Sequence, residues 1–154
     1  MISLELDKKD IMNKLLLGSD FDNFLLVEGN VTTFASFHID GKLKEDFLDT
    51  REKEALHGRT YGYWKDFKPF FLSVIRGKKT PLNFKFVFTM SPGQIRTFVR
   101  QERIPVQAED VQGLYMNLIF DGQNLNCITG TSMKIFSLDK TLEQAWDQKM
   151  HNFL

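Results

Sequence analysis

The sequence predicts an α+β fold with a mainly antiparallel sheet. Stretches that alternate apolar and polar residues take turns with stretches of helical spacing. Short hairpin signals join neighbouring strand stretches. The order β-α-β-β-β-α, read along the 154 residues, occurs twice.

Ile2, Leu4 and Leu6 alternate with polar residues and predict a short first strand. Asp7 stands where an N-cap belongs, ahead of Ile11, Met12, Leu15 and Leu16 at helical spacing, and Gly18 closes that helix. Phe24–Val27 predicts a strand meeting a turn at Gly29-Asn30. Val31, Thr33, Ala35, Phe37 and Ile39 alternate as the next strand, and Asp40-Gly41 leads into a third that ends near Phe47. Residues 49–60 are charged and predict a loop or one short helix. Phe67, Phe70, Phe71, Val74 and Ile75 share a helical face, with Pro69 in the first turn and Gly77 as the C-cap.

The second half opens on Phe84, Phe86, Phe88 and Met90, a strand by alternation. Ser91 with Gln94 forms a capping box, Pro92 suits the first helical position, and Ile95, Phe98 and Val99 give the helix its buried side. Leu114–Phe120 and Asn124–Thr129 flank the Asp121-Gly122 turn, and Met133–Phe136 predicts a further strand. Asp139 caps a last helix with Leu142, Ala145, Trp146, Met150 and Phe153 on one face, where Lys149 has to snorkel.

The two halves agree in register. Ile2, Leu4, Leu6, Asp7, Ile11 and Leu15 correspond to Phe86, Phe88, Met90, Ser91, Ile95 and Val99 at one constant offset, and Glu28-Gly29-Asn30 and Asp121-Gly122-Gln123-Asn124 occupy matching turns. The expectation is one domain over 1–154, built from two repeats at about 1–77 and 82–154.

Composition narrows the function classes. With 42% hydrophobic residues the chain builds a core without staples, and its 15 Phe are read first as core. Lys plus Arg (20) balances Asp plus Glu (20), so no global basic field steers it to nucleic acid. The single Cys127 excludes an intramolecular disulfide and suits a reducing compartment. The first residues lack a secretory pattern and no apolar run approaches a bilayer span, so a cytoplasmic location without membrane insertion is expected.

The chain as a whole resembles a small bacterial family of hypothetical proteins without assigned function. Phe88-Thr89-Met90-Ser91 at the strand-to-helix entry, Asp110-Val111 before Tyr115–Phe120, the Asp121-Gly122 turn, and Thr129-Gly130 before Lys134-Ile135 are similar to the DNA sliding clamps. The Lys65–Gly77 helix followed by Phe84–Phe88 is similar too. Clamps carry a Thr-Asp-Gly before Arg-Leu, so the Asp is missing here, and the chain holds one domain's worth of material. The resemblance implies a duplicated clamp-like plan and binding without catalysis, through Lys and Arg on helices facing phosphates.

Arg96, Arg100 and Arg103 fall at i, i+4 and i+7 beside the buried stripe of the Ser91 helix, and Lys8, Lys9 and Lys14 occur on the equivalent helix of the first repeat. The repeat would bring both sets onto one surface; the competing reading is ordinary solvated charge. Trp64 and the Lys78-Lys79 loop are candidates for stacking and phosphate contact, whereas the phenylalanines between them read as core. His38, His57 and His151 have no ligand spacing with one another or with Cys127, so no metal or other cofactor is expected. Asp20 and Asp22 serve loop turns, Thr129-Gly130-Thr131-Ser132 reads as a hairpin turn, and no Gly-rich phosphate fingerprint is present. No catalytic grouping is evident. The leading expectation is a non-enzymatic module contacting nucleic acid non-specifically. The alternatives are a protein–protein interaction domain, and a small-molecule enzyme whose site draws on Cys127 or His38.

Overall fold

In the computed structural model, residues 1–75 and 79–154 are described; Arg76, Gly77 and Lys78, and with them the expected Gly77 cap and the Lys78 candidate, lie outside them. The order is β1 (Ser3–Leu6), α1 (Lys8–Leu16), β2 (Leu25–Thr32), β3 (Ser36–Asp40), α2 (Thr50–Glu54), α3 (Trp64–Val74), β4 (Asn83–Thr89), α4 (Pro92–Gln101), β5 (Val111–Phe120), β6 (Leu125–Met133) and α5 (Thr141–Phe153). The strands form one antiparallel sheet in the order β1-β6-β5-β4-β2-β3. The α+β class stands.

The alternating positions decide where the core sits. Phe84, Phe86 and Phe88 on β4, Leu114, Met116, Leu118 and Phe120 on β5, and Leu125 and Cys127 on β6 are buried in one cluster. Ile11 and Leu15 of α1, Phe71 of α3, Phe98 of α4 and Trp146 of α5 join that cluster, so the helices cover this face of the sheet. Most of the phenylalanines are core: the rings of Trp64 and Phe71 stack at 5.4 Å, and Phe86 meets Phe71 edge-on at 5.0 Å.

The duplicated plan is not what the sheet shows. Equivalent repeats would give β1 and β4 equivalent neighbours, yet β1 is an edge beside β6 and β4 is central between β2 and β5. Among the described residues the expected third strands are also missing. After Gly41 only Lys42 bridges Tyr61, and a 3₁₀ turn at Glu45–Phe47 follows; in the second half Met133 already ends β6.

Three glycine readings account for much of that difference. β2 runs straight through Gly29-Asn30, because Gly29 faces Phe71, where a Cβ would lie 2.6 Å from the ring. The chain turns at residues 33–35 instead, so the supposed match with the Asp121-Gly122 turn fails. Gly41 packs on β2 so closely that a Cβ would come 1.8 Å from the Leu26 carbonyl oxygen, and it starts no strand. Gly130 lies within β6 opposite Tyr115, so Thr129–Ser132 is strand and not turn.

The caps at Asp7 and Ser91 hold as read. Asp139 instead stands one residue before the N-cap of α5, Lys140, which has no side-chain cap bond, and its carboxylate accepts from the Thr141 amide at 2.8 Å. The Asp7 carboxylate accepts from the Asp10 amide at 3.0 Å, and the Ser91–Gln94 box closes in both directions. A second box, Asp49 with Glu52, starts α2 inside the charged stretch. Asp121 accepts from the Gln123 and Asn124 amides and leaves Gly122 at φ 103° to complete its hairpin. Pro69 falls in the interior of α3, because the helix begins at Trp64. Phe70 turns outward at 61% exposure, against the expectation that it is core.

Candidate functional site

The expected basic surface comes apart in two. Lys8 sits over the Phe120 ring at 5.5 Å, at the far end of β5, and Lys14 pairs with Asp10 at 3.3 Å. Arg96 lines a cleft at the other end of β5, against Val111, Gln112 and Tyr115. Ten residues of strand separate these ends by roughly 30 Å. Lys8 and Arg96 therefore share no patch. Lys79 is exposed on the loop before β4.

The arginine stripe itself is shorter than its spacing predicts. Arg96 and Arg100 are exposed on α4, but Arg103 lies past the helix at φ 52°. It occupies the left-handed closing position usually given to glycine, with the Ile104 amide donating back to the Val99 carbonyl at 3.0 Å. Burial of Ile104 holds that ending in place despite the cost of a side chain there.

Trp64 is no stacking platform. Its ring is fully buried and its indole N–H donates to the Leu15 carbonyl at 2.8 Å, tying α3 to α1. The possible Cys-His pair also dissolves. Cys127 is on β6 and His38 on β3, four strand spacings away at about 4.8 Å each. Burial pushes the Cys127 thiol up to about 12, which keeps it protonated and unreactive. Asp22 pairs with Lys68 at 2.7 Å, in keeping with a loop role. Among the described residues no group of three His, Cys, Asp or Glu side chains converges as a metal site.

What the fold does assemble is the cleft beside Arg96, about 320 Å³ in volume. The segment at Gly58–Tyr61, the β4-to-α4 passage, the stretch at Ala108–Gln112, Tyr115 and Lys134 line it. Thr89 and Tyr115 are cross-strand partners, and Tyr115 lies back over Gly113, where a Cβ would come 2.4 Å from the phenol oxygen. Burial, and then the Tyr61 phenol beside it, raise the Tyr115 hydroxyl above the usual phenol range. The indole of Trp146 donates to the Tyr115 carbonyl at 2.9 Å and fixes this part of β5 against α5.

Arg96, Lys134 and Glu109 are the charged residues of the lining. Among the described residues neither Arg96 nor Lys134 forms an ion pair, and the same holds for Arg100 and Arg103; elsewhere Lys14, Lys44, Lys68, Lys85 and Lys140 each have a carboxylate partner. Lys134, Tyr115, Tyr61 and Gln112 escape sequence reading because they come from separate segments with no shared linear spacing. The one local sign is Tyr115, an aromatic on the polar side of an alternating strand.

Residues 14–154 match a family of unknown function (DUF5721). The chain belongs to this family. No curated protein and no solved structure matches it. Among the described residues no helix is long and apolar enough to cross a membrane.

Proposed function

We propose that the chain is a non-enzymatic binding module for nucleic acid, which it contacts through phosphate and without reading bases. The observation that carries this reading is the placement of Arg96 and Lys134 in one cleft, with Arg100 one turn further along the exposed side of α4 and none of the three holding a carboxylate partner among the described residues. A phosphate backbone supplies the missing counter-charge and releases its condensed cations on binding. Lys8 is no part of this surface, so the contact is one-sided and suits a strand passing across α4.

Fluorescence anisotropy with a labelled random duplex and its single strand, at about 50 and 200 mM salt, tests it. Binding should weaken at least about tenfold between those salts. Changing Arg96, Arg100 and Arg103 to Ala should weaken it and flatten the salt dependence, while Lys8→Ala should leave it unaltered. Absence of binding at both salts sinks the proposal.

A protein partner is the second reading, favoured by rings left in water. Phe34, at the β2–β3 turn, is 89% exposed and Phe136, after β6, is 88% exposed. A stable partner captured in high salt and lost in Phe34→Ser or Phe136→Ser would support this reading over the first.

A further inference from the structure

The hydrogen-bonding capacity of the cleft is lopsided. Arg96 and Lys134 can only donate. Thr89 spends its hydroxyl proton on the Leu114 carbonyl at 2.7 Å. The Gln112 side-chain oxygen accepts from the Ser132 hydroxyl at 2.9 Å, which leaves its amide hydrogens for a ligand. The Tyr115 phenol has no hydrogen-bond partner among the described residues, and its raised pKa keeps it a donor through neutral pH. Against these stand one carboxylate, Glu109, and the hydroxyls of Thr60 and Tyr61, which can donate as well as accept.

A site that offers two cations, a phenol O–H and amide hydrogens suits a ligand that mostly accepts and carries more than one negative charge. A backbone phosphodiester carries a single charge. A phosphate monoester carries nearly two at neutral pH, with three free acceptor oxygens. The volume of about 320 Å³ admits a group of nucleotide size and excludes a duplex.

We infer that the cleft binds a phosphate monoester, either the terminal phosphate of a nucleic-acid strand or that of a free nucleotide. The strand source rests on the function proposed above; the free-nucleotide source does not. Arg96 belongs to both the α4 surface and the cleft, so it couples the two: a strand lying on Arg100 reaches the cleft with its end. Lys134 and Tyr115 serve the cleft alone and separate the two roles.

The test compares three probes at one salt concentration: a short single-stranded oligonucleotide with a 5′ or 3′ phosphate, the same strand with hydroxyl ends, and adenosine monophosphate. The phosphorylated strand should bind about ten- to a hundredfold more tightly, the size expected for charge-assisted hydrogen bonds. Lys134→Met and Tyr115→Phe should each shrink that advantage, whereas Arg100→Ala should weaken both strands alike. Competition by adenosine monophosphate would assign the site to free nucleotides as well. Equal affinity for both strands, untouched by Lys134→Met, would remove the cleft site and leave the α4 surface. Binding of the monophosphate alone, lost in Lys134→Met, would keep the cleft and remove the nucleic-acid function. No binding of any probe would remove both. Lys134 is exposed, so its replacement leaves the core intact.

Discussion

Strand β1 with helix α1, and strand β4 with helix α4, follow one local recipe. Each pairs an alternating strand with a side-chain cap at Asp7 or Ser91, and each buries an isoleucine, Ile11 or Ile95, at the same point of its helix. Their settings differ. β1 is four residues at the sheet's edge, whereas β4 is seven residues at its centre. The charges differ in part: on α1, Lys14 has Asp10 and Lys8 covers an aromatic ring, though Lys9, like Arg96 and Arg100 on α4, has no ion-pair partner among the described residues. Local sequence codes for the element, and the pairing of distant strands decides what the element is free to do.

The largest expected effect comes from breaking the anchor of the first pair. Trp64→Ala removes a fully buried ring and strips the Leu15 carbonyl of its indole donor. Urea unfolding should show a loss of about 3–5 kcal/mol. A loss below about 1 kcal/mol would mean that α1 holds its place without that ring.

The caps compare the two recipes directly. Asp7→Ala and Ser91→Ala should each cost about 1 kcal/mol. Asp7 should be the more costly because its carboxylate also meets the positive end of the helix dipole, while the Gln94 bond to the Ser91 amide survives in Ser91→Ala. The reverse order would show that position in the sheet, not cap chemistry, governs how much each start contributes.

The smallest effect is a pH dependence confined to the β1 side. The Met1 ammonium binds Glu143 and Asp147 of α5; the Glu143 bond, foremost, raises its pKa above the ordinary 8.0. Its stabilising contribution is complete below that ordinary value and fades as pH rises through the raised one. Glu143, in turn, is held below the usual carboxylate range by the same ammonium, so its share is present above that range and is lost as pH falls. Thermal melts should therefore show a small decline toward pH 10 that disappears in the Glu143→Gln, Asp147→Asn double variant. A decline unchanged in that variant would assign it to other groups.

Much of this fold was legible because its elements announce themselves locally. Alternation placed β4 and most of β5, and cap chemistry placed the starts of α1 and α4, since both depend on residues a few positions apart. Gly29 and Gly41 misled for one reason. A glycine allowing close packing reads the same as a glycine making a turn, and only the distant neighbour, Phe71 or Leu26, separates them. Gly130 differs: a Cβ there would make ordinary contact, and it is the pairing with Tyr115 that keeps it in strand. Arg103 misled because its left-handed ending is enforced by the burial of Ile104 and not by its own preference. Of the site, Arg96 was visible from its helical spacing. Lys134 and Tyr115 were not, because the strand pairing that brings β5 and β6 beside the β4-to-α4 passage leaves no trace in linear order.

The position of β1 also sets a sequence of events. Ser3 pairs with Ile128 and Leu6 with Leu125, so the first strand meets a partner made almost at the other end of the chain. During synthesis from the ribosome, that partner emerges only after β2, β4 and β5 have had time to associate. Until then Leu4 and Leu6 stay in water beside an unfinished sheet, and the nascent chain carries its own first strand as an unpaired edge.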